Sequence, residues 1–87
     1  MNDLRARLEF ARVVLRELSR EPLCRTVLEK RSRCRGEMSY ACFEGIFRFL
    51  VLDGDVEKSG VAHRAPFRLT ERGKAFLAWR AQGEQGH

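Results

Sequence analysis

Lys30-Arg31-Ser32-Arg33-Cys34-Arg35 sets four cations within six residues. Such a run suits phosphate, because the planar guanidinium fork donates paired hydrogen bonds to phosphate oxygens. Further along, Arg48 is the one cation of a largely apolar stretch, and His63-Arg64 lies among small residues. An arginine there has the reach and the fork to meet a guanine edge, which makes Arg48 the best single candidate should the chain read bases. A solvated Arg48 that touches no base is an equally good reading. Other chemistries fit less well. Cys24, Cys34, Cys42 and His63 lack the short paired spacing of a zinc site. If one helix held both Cys24 and Cys34, they would lie about 15 Å apart, too far for a shared metal or a disulfide. Core or partly buried thiols are the ordinary reading, with Cys34, inside the basic run, the one placed for redox sensing. Asp53 and Asp55 flank a glycine as turn residues do. The chain has no glycine-rich phosphate loop, and nothing orients His63. No enzymatic activity, metal or cofactor is expected.

With 87 residues, 44% of them apolar, the chain has room for one core. A domain so small buries only about 60% of its unfolded surface, which makes a partner subunit a natural source of stability. The formal net charge of +5 is unevenly spread: residues 1–35 hold ten Lys/Arg against five Asp/Glu, and the remainder seven of each. Arginine outnumbers lysine 14 to 3. No run approaches the ~20 apolar residues of a membrane span, and charges run through the N-terminal residues, unlike a signal peptide. An odd number of cysteines at scattered spacings suits a reducing interior. A cytoplasmic protein is expected.

These residues need elements to hold them. Residues 39–52, SYACFEGIFRFLVL, read as a helix buried on one broad side. Phe43, Ile46, Phe47 and Leu50 recur at helical spacing, with Cys42 and Phe49 flanking them. Ala41, Glu44, Gly45 and Arg48 lie opposite. Gly45 costs about 1 kcal/mol relative to alanine unless the close approach of another backbone offsets it. Ser39 caps this helix. Before it, Pro22 opens a second helix with Leu23, Val27 and Leu28 on its apolar face, and Gly36 supplies the left-handed position at its end. A first helix, from Asn2 or Asp3 to about Ser19, carries two apolar stripes. Leu4, Leu8, Ala11, Leu15 and Leu18 share one face, Ala6, Phe10 and Val13 lie nearly opposite, and Val14 falls between. A second stripe suggests a partner, most simply another copy of the chain. Ala6, Phe10 and Val13, with Trp79 of the last helix, are therefore the candidate dimer interface. Arg5, Arg12, Arg16 and Arg20 gather along a flank, with Glu9 and Glu17 in reach of i,i+3 pairs; a solvated charged flank is the ordinary reading.

After Asp53-Gly54-Asp55, Val56-Glu57-Lys58 and Phe67-Arg68-Leu69 form two short strands joined by the loop Ser59–Pro66. Thr70 caps a closing helix that carries Phe76, Leu77 and Trp79, with Gly83 ending it and residues 83–87 a frayed tail. The order α-α-α-β-β-α, mainly helical with a small β-hairpin, is that of a winged helix-turn-helix, a single α+β domain over residues 1–87.

Phe67-Arg68-Leu69-Thr70-Glu71-Arg72-Gly73-Lys74-Ala75-Phe76-Leu77 resembles the strand, Leu-Thr-x-x-Gly, helix ending of PadR-like, MarR-like and archaeal or archaeal-virus winged-helix regulators. Leu50-Val51-Leu52-Asp53-Gly54-Asp55-Val56-Glu57 is similar to their junction into the wing, although Asp55 stands where such families carry an apolar residue. Gly73 then lets the last helix pack closely. The resemblance implies a small transcriptional regulator bound to double-stranded DNA, with helix 39–52 in the major groove and wing 56–69 on the backbone or minor groove. Lys30, Arg31, Arg33 and Arg35 would meet phosphates beside the turn, Ser39, Tyr40, Glu44 and Arg48 would face the groove, and His63 and Arg64 would touch from the wing tip. Two other readings stay open. One is a winged helix used for protein–protein interaction, since the long helix is poor in base-reading side chains. The other is sequence-independent coating of nucleic acid by the basic N-terminal third.

Overall fold

The computed structural model describes the chain from Asp3 to Gln85, and its side chains from Arg5 to Ala78. Four helices, α1 (Asp3–Arg20), α2 (Arg25–Gly36), α3 (Tyr40–Asp53) and α4 (Glu71–Gln85), surround a ribbon of β1 (Val56–Lys58) and β2 (Phe67–Leu69). The strands run antiparallel with Val56 opposite Leu69, Glu57 opposite Arg68 and Lys58 opposite Phe67. Alternation puts Val56 and Leu69 into the core and turns Glu57 and Arg68 outward, where they pair at 2.9 Å.

α3 forms the floor of the core. Phe43, Ile46, Phe47 and Leu50 are buried as their spacing predicts, and each such side chain contributes about 1.5–3 kcal/mol on burial. Phe43 stacks on Phe47 with ring centroids 5.5 Å apart, and Phe67 of β2 meets Phe47 edge-on at 4.9 Å. The wing is therefore locked to α3 through its second strand. Ser39 caps α3, its hydroxyl accepting from the Cys42 amide at 3.1 Å. Gly54 ends the helix in the left-handed region, at φ 86°, where glycine carries no Cβ penalty. Phe49 lies at the edge of that face, about 60° round from Ile46, and is 52% exposed.

α1 crosses behind the other elements, touching α2, α3, α4 and β2. That explains its two stripes. Val14 is fully buried at the centre of one wide arc, with Ala11, Leu15 and Leu18 beside it, and Phe10 and Val13 are half-buried against the same core. Leu4 lies outside the described side chains.

The segment between α1 and α2 differs from its reading. Pro22 does not start a helix; it leads into Leu23, whose amide donates to the Phe67 carbonyl at 3.1 Å and whose carbonyl accepts from the Phe67 amide at 2.7 Å. Leu23 is thus extended and joins the ribbon as a one-residue third strand, so helix geometry begins only after Cys24. The end of α2 also shifts by one residue. Gly36 is the last helical residue and Glu37 takes the left-handed conformation, at φ 51°. Gly36 serves space instead: a Cβ there would stand 2.7 Å from the Met38 methyl and 3.5 Å from Val13.

At the other end, Thr70 caps α4 through the Gly73 amide at 3.1 Å. Gly73 does permit close packing, since a Cβ would fall 2.2 Å from the Asp55 carbonyl oxygen. Gly83 does not end the helix, whose backbone runs on to Gln85; a helical glycine costs only about 1 kcal/mol.

Candidate nucleic-acid interface

The outward side of α3 begins with Tyr40, 47% exposed, with the Arg33 guanidinium 5.9 Å from its ring centroid. Ala41, Gly45 and Arg48 follow, all exposed, and then Leu52, 81% exposed. Arg48 extends into solvent with one partner, Glu44, at 3.6 Å. Glu44 also accepts from Arg25 of α2, whose guanidinium lies 5.5 Å from the Phe47 ring centroid. Glu44 is therefore a strut between helices rather than a free acceptor. Gly45 has nothing within 4 Å of its would-be Cβ, so no backbone of this chain offsets its helical cost.

The basic run does not form one patch. Successive residues turn by about 100°, so alternate ones point to different sides of a helix. Arg31 and Arg35 turn toward the α1 end and pair with Glu21 at 3.3 Å and Glu17 at 2.5 Å. Arg33 turns toward α3, pairing with Glu29 at 2.9 Å and donating to the Met38 carbonyl at 3.4 Å. Ser32 is fully buried. Lys30 is exposed and has no ion pair among the described residues. Counting charges along the sequence could not reveal this, because the carboxylates that engage the run come from α1, the α1–α2 link and α2 itself.

A different cluster lies where α2 starts. A cleft of about 730 Å³ separates the first turn of α2 from the wing, walled by Arg25 and Thr26 on one side and Lys58, His63 and Arg64 on the other. Cys24 occupies the N-cap without a side-chain hydrogen bond, and the first turn carries no acid. Free amides and the positive end of the helix therefore open toward the cleft. His63 and Arg64 are exposed at the wing turn. Lys58 donates to the Ala62 carbonyl at 3.2 Å and, like Arg64, has no ion pair among the described residues. Arg25 and Lys58 were missed from sequence. Their signal was the absence of a capping side chain at Cys24, legible only once the helix start was placed three residues late.

Beneath the wing, Arg72 makes a bidentate pair with Asp53 at 3.2 and 3.3 Å, which holds Asp53 below the usual carboxylate range. Asp55 is fully buried, with neither carboxylate oxygen hydrogen-bonded and Arg72 3.9 Å away. Burial first, and then the neighbouring Asp53, push its carboxyl up to about 6. Cys24 and Cys42 are half-buried and Cys34 is exposed, all as free thiols. Among the described residues no three His, Cys, Asp or Glu side chains gather as metal ligands, and no helix is long and apolar enough to cross a membrane. Of the expected dimer residues, Ala6, Phe10 and Val13 are half-buried, and Trp79 lies outside the described side chains.

No protein-family model matches the chain, and no curated protein matches it. Among solved structures, the crystal structure of SSV1 F-93 is similar over 90% of this chain and 91% of that one, with 24% identity and a TM-score of 0.64. Three helices, an antiparallel ribbon and a closing helix, in an arrangement shared at that distance, make this chain a winged helix-turn-helix fold.

Proposed function

We propose that this winged helix binds double-stranded DNA as a small homodimeric transcriptional regulator in the cytoplasm. The cation-lined cleft between the first turn of α2 and the wing supports this most directly. Lys58, His63 and Arg64 of the wing face the uncapped N-terminus of α2 across it, where Arg25 stands on the first turn and is paired with Glu44, and amides plus cations of this kind hold a phosphate well. A duplex whose backbone follows the cleft brings α3 to the major groove, with Ser39 and Tyr40 at its entry and Arg48 as the reader. Glu44 orients Arg48 rather than touching a base. Lys30 adds a phosphate contact, whereas Arg31, Arg33 and Arg35 would have to leave carboxylates first. Ala6, Phe10 and Val13 remain the proposed dimer contact.

Affinity for duplex DNA measured against salt tests this reading. Lys58→Ala with Arg64→Ala removes two phosphate contacts, so the slope of log affinity on log salt falls by about 1.8. Arg48→Ala costs about 1–3 kcal/mol on an enriched sequence and little on random DNA. No binding at low salt would overturn the reading. It would favour an interaction module, for which the exposure of Phe49 and Leu52 on α3 is the supporting observation. Binding without sequence preference would favour a general coating protein.

A further inference from the structure

A second cleft, of about 260 Å³, opens between α1 and the end of α2. Arg12, Arg16 and Arg20 of α1 line it, with Arg35 of α2 across from them. None of its lining residues belongs to α3 or the wing. Two carboxylates share the space. Glu9 sits 3.9 Å from Arg12. Glu17 is only 1% exposed; its Oε2 pairs with the Arg35 Nε at 2.5 Å, and its buried Oε1 has no hydrogen-bond partner. Arg16 and Arg20 are exposed and make no ion pair among the described residues.

A buried carboxylate oxygen calls for a donor, and two unpaired guanidinium groups beside it call for an anion. One molecule can meet both demands. We propose that the α1–α2 cleft binds a small phosphate ester that also presents an N–H or O–H donor, such as a sugar phosphate or a mononucleotide. The phosphate lies on Arg16 and Arg20, and the donor reaches Glu17 Oε1. Phosphate is favoured over carboxylate because two guanidinium forks offer more donors than one carboxylate can accept. The volume sits just below the ~300 Å³ at which organic-ligand pockets begin, which limits the ligand to this size. A nucleic-acid backbone fits poorly, since Glu9 and Glu17 would face a continuous polyanion. Binding at this cleft does not depend on the DNA-binding reading.

Calorimetric titration of the full chain, without DNA, tests the site with ribose 5-phosphate, guanosine 5′-monophosphate and inorganic phosphate. At least one ester is expected to bind tenfold or more tightly than inorganic phosphate. Arg16→Ala with Arg20→Ala, both exposed and tolerant of change, should weaken that ester at least tenfold without altering thermal unfolding. Glu17→Gln should abolish the advantage over inorganic phosphate. Equal affinity for ester and inorganic phosphate would mark an adventitious anion site, and undiminished binding by the double variant would place the ligand elsewhere; either overturns the proposal. The same double variant should keep its salt slope on DNA, and a fall of about 1.8 would make the cleft a DNA surface instead. A chain that binds no DNA yet passes the titration retains this site and loses the other function.

Discussion

Asp55 carries a carboxylate into the junction of α3, the wing and α4, and neither oxygen finds a hydrogen bond there. Its carboxyl, raised to about 6, holds a proton more tightly than the unfolded chain, where aspartate titrates near 3.9. The linkage therefore runs against neutral pH: the cost is absent below about pH 4, accrues between about 4 and 6, and persists above. A shift of that size corresponds to roughly 2–3 kcal/mol. Asp55→Asn should recover about 1–2 kcal/mol of it in urea unfolding at pH 7, the buried amide taking back the rest, and change little at pH 4. A variant equally stabilised at both pH values would mean that charge is not the cause. Gly73 behaves in the opposite way. Its close approach to the Asp55 carbonyl, 2.2 Å from a would-be Cβ, involves backbone that cannot rotate aside, so Gly73→Ala should cost about 3 kcal/mol or more.

At the scale of the elements, α3 tests two ideas with one substitution. Gly45 meets nothing within 4 Å, so Gly45→Ala should stabilise the free protein by about 1 kcal/mol, or roughly 4–8 °C in melting temperature for a domain of this size. If DNA affinity then falls, that side of α3 lies against the duplex; if it is unchanged, the contact lies nearer Tyr40. The buried side of α3 was legible because four large apolar residues at helical spacing leave one solution. Both strands of the wing and the Thr70 cap were legible for similar local reasons. The start of α2 was not. Pro22 is well suited to a first helical turn, and only a long-range bond from Leu23 to Phe67 outweighs that local preference. The pairing of the basic run was hidden for a related reason. Its four charges are a property of sequence, but their availability depends on Glu17, Glu21 and Glu29, which tertiary packing brings into range.

For the whole molecule, the wide apolar arc of α1 is mostly consumed inside the chain, which leaves Ala6 as the sharpest probe of self-association. Ala6→Glu should yield monomers in sedimentation with helicity retained, whereas Phe10→Glu would also disturb the core that Phe10 packs against. An unchanged dimer would move the contact to the last helix. The Leu23–Phe67 pair has one more consequence, and it concerns how the chain folds. These two residues bracket all of α2, α3 and the wing loop, so their bonds form only after a long loop has closed. The three helices can assemble through mostly local contacts, and the ribbon must wait for this distant pair, placing it late in the folding sequence. Once made, it opens only when the domain unfolds. In amide hydrogen exchange, the Leu23 and Phe67 protons should therefore be among the slowest, matching global unfolding. Those of Gly60 to Arg64, a few residues away at the wing tip, should exchange at nearly the rate of free peptide.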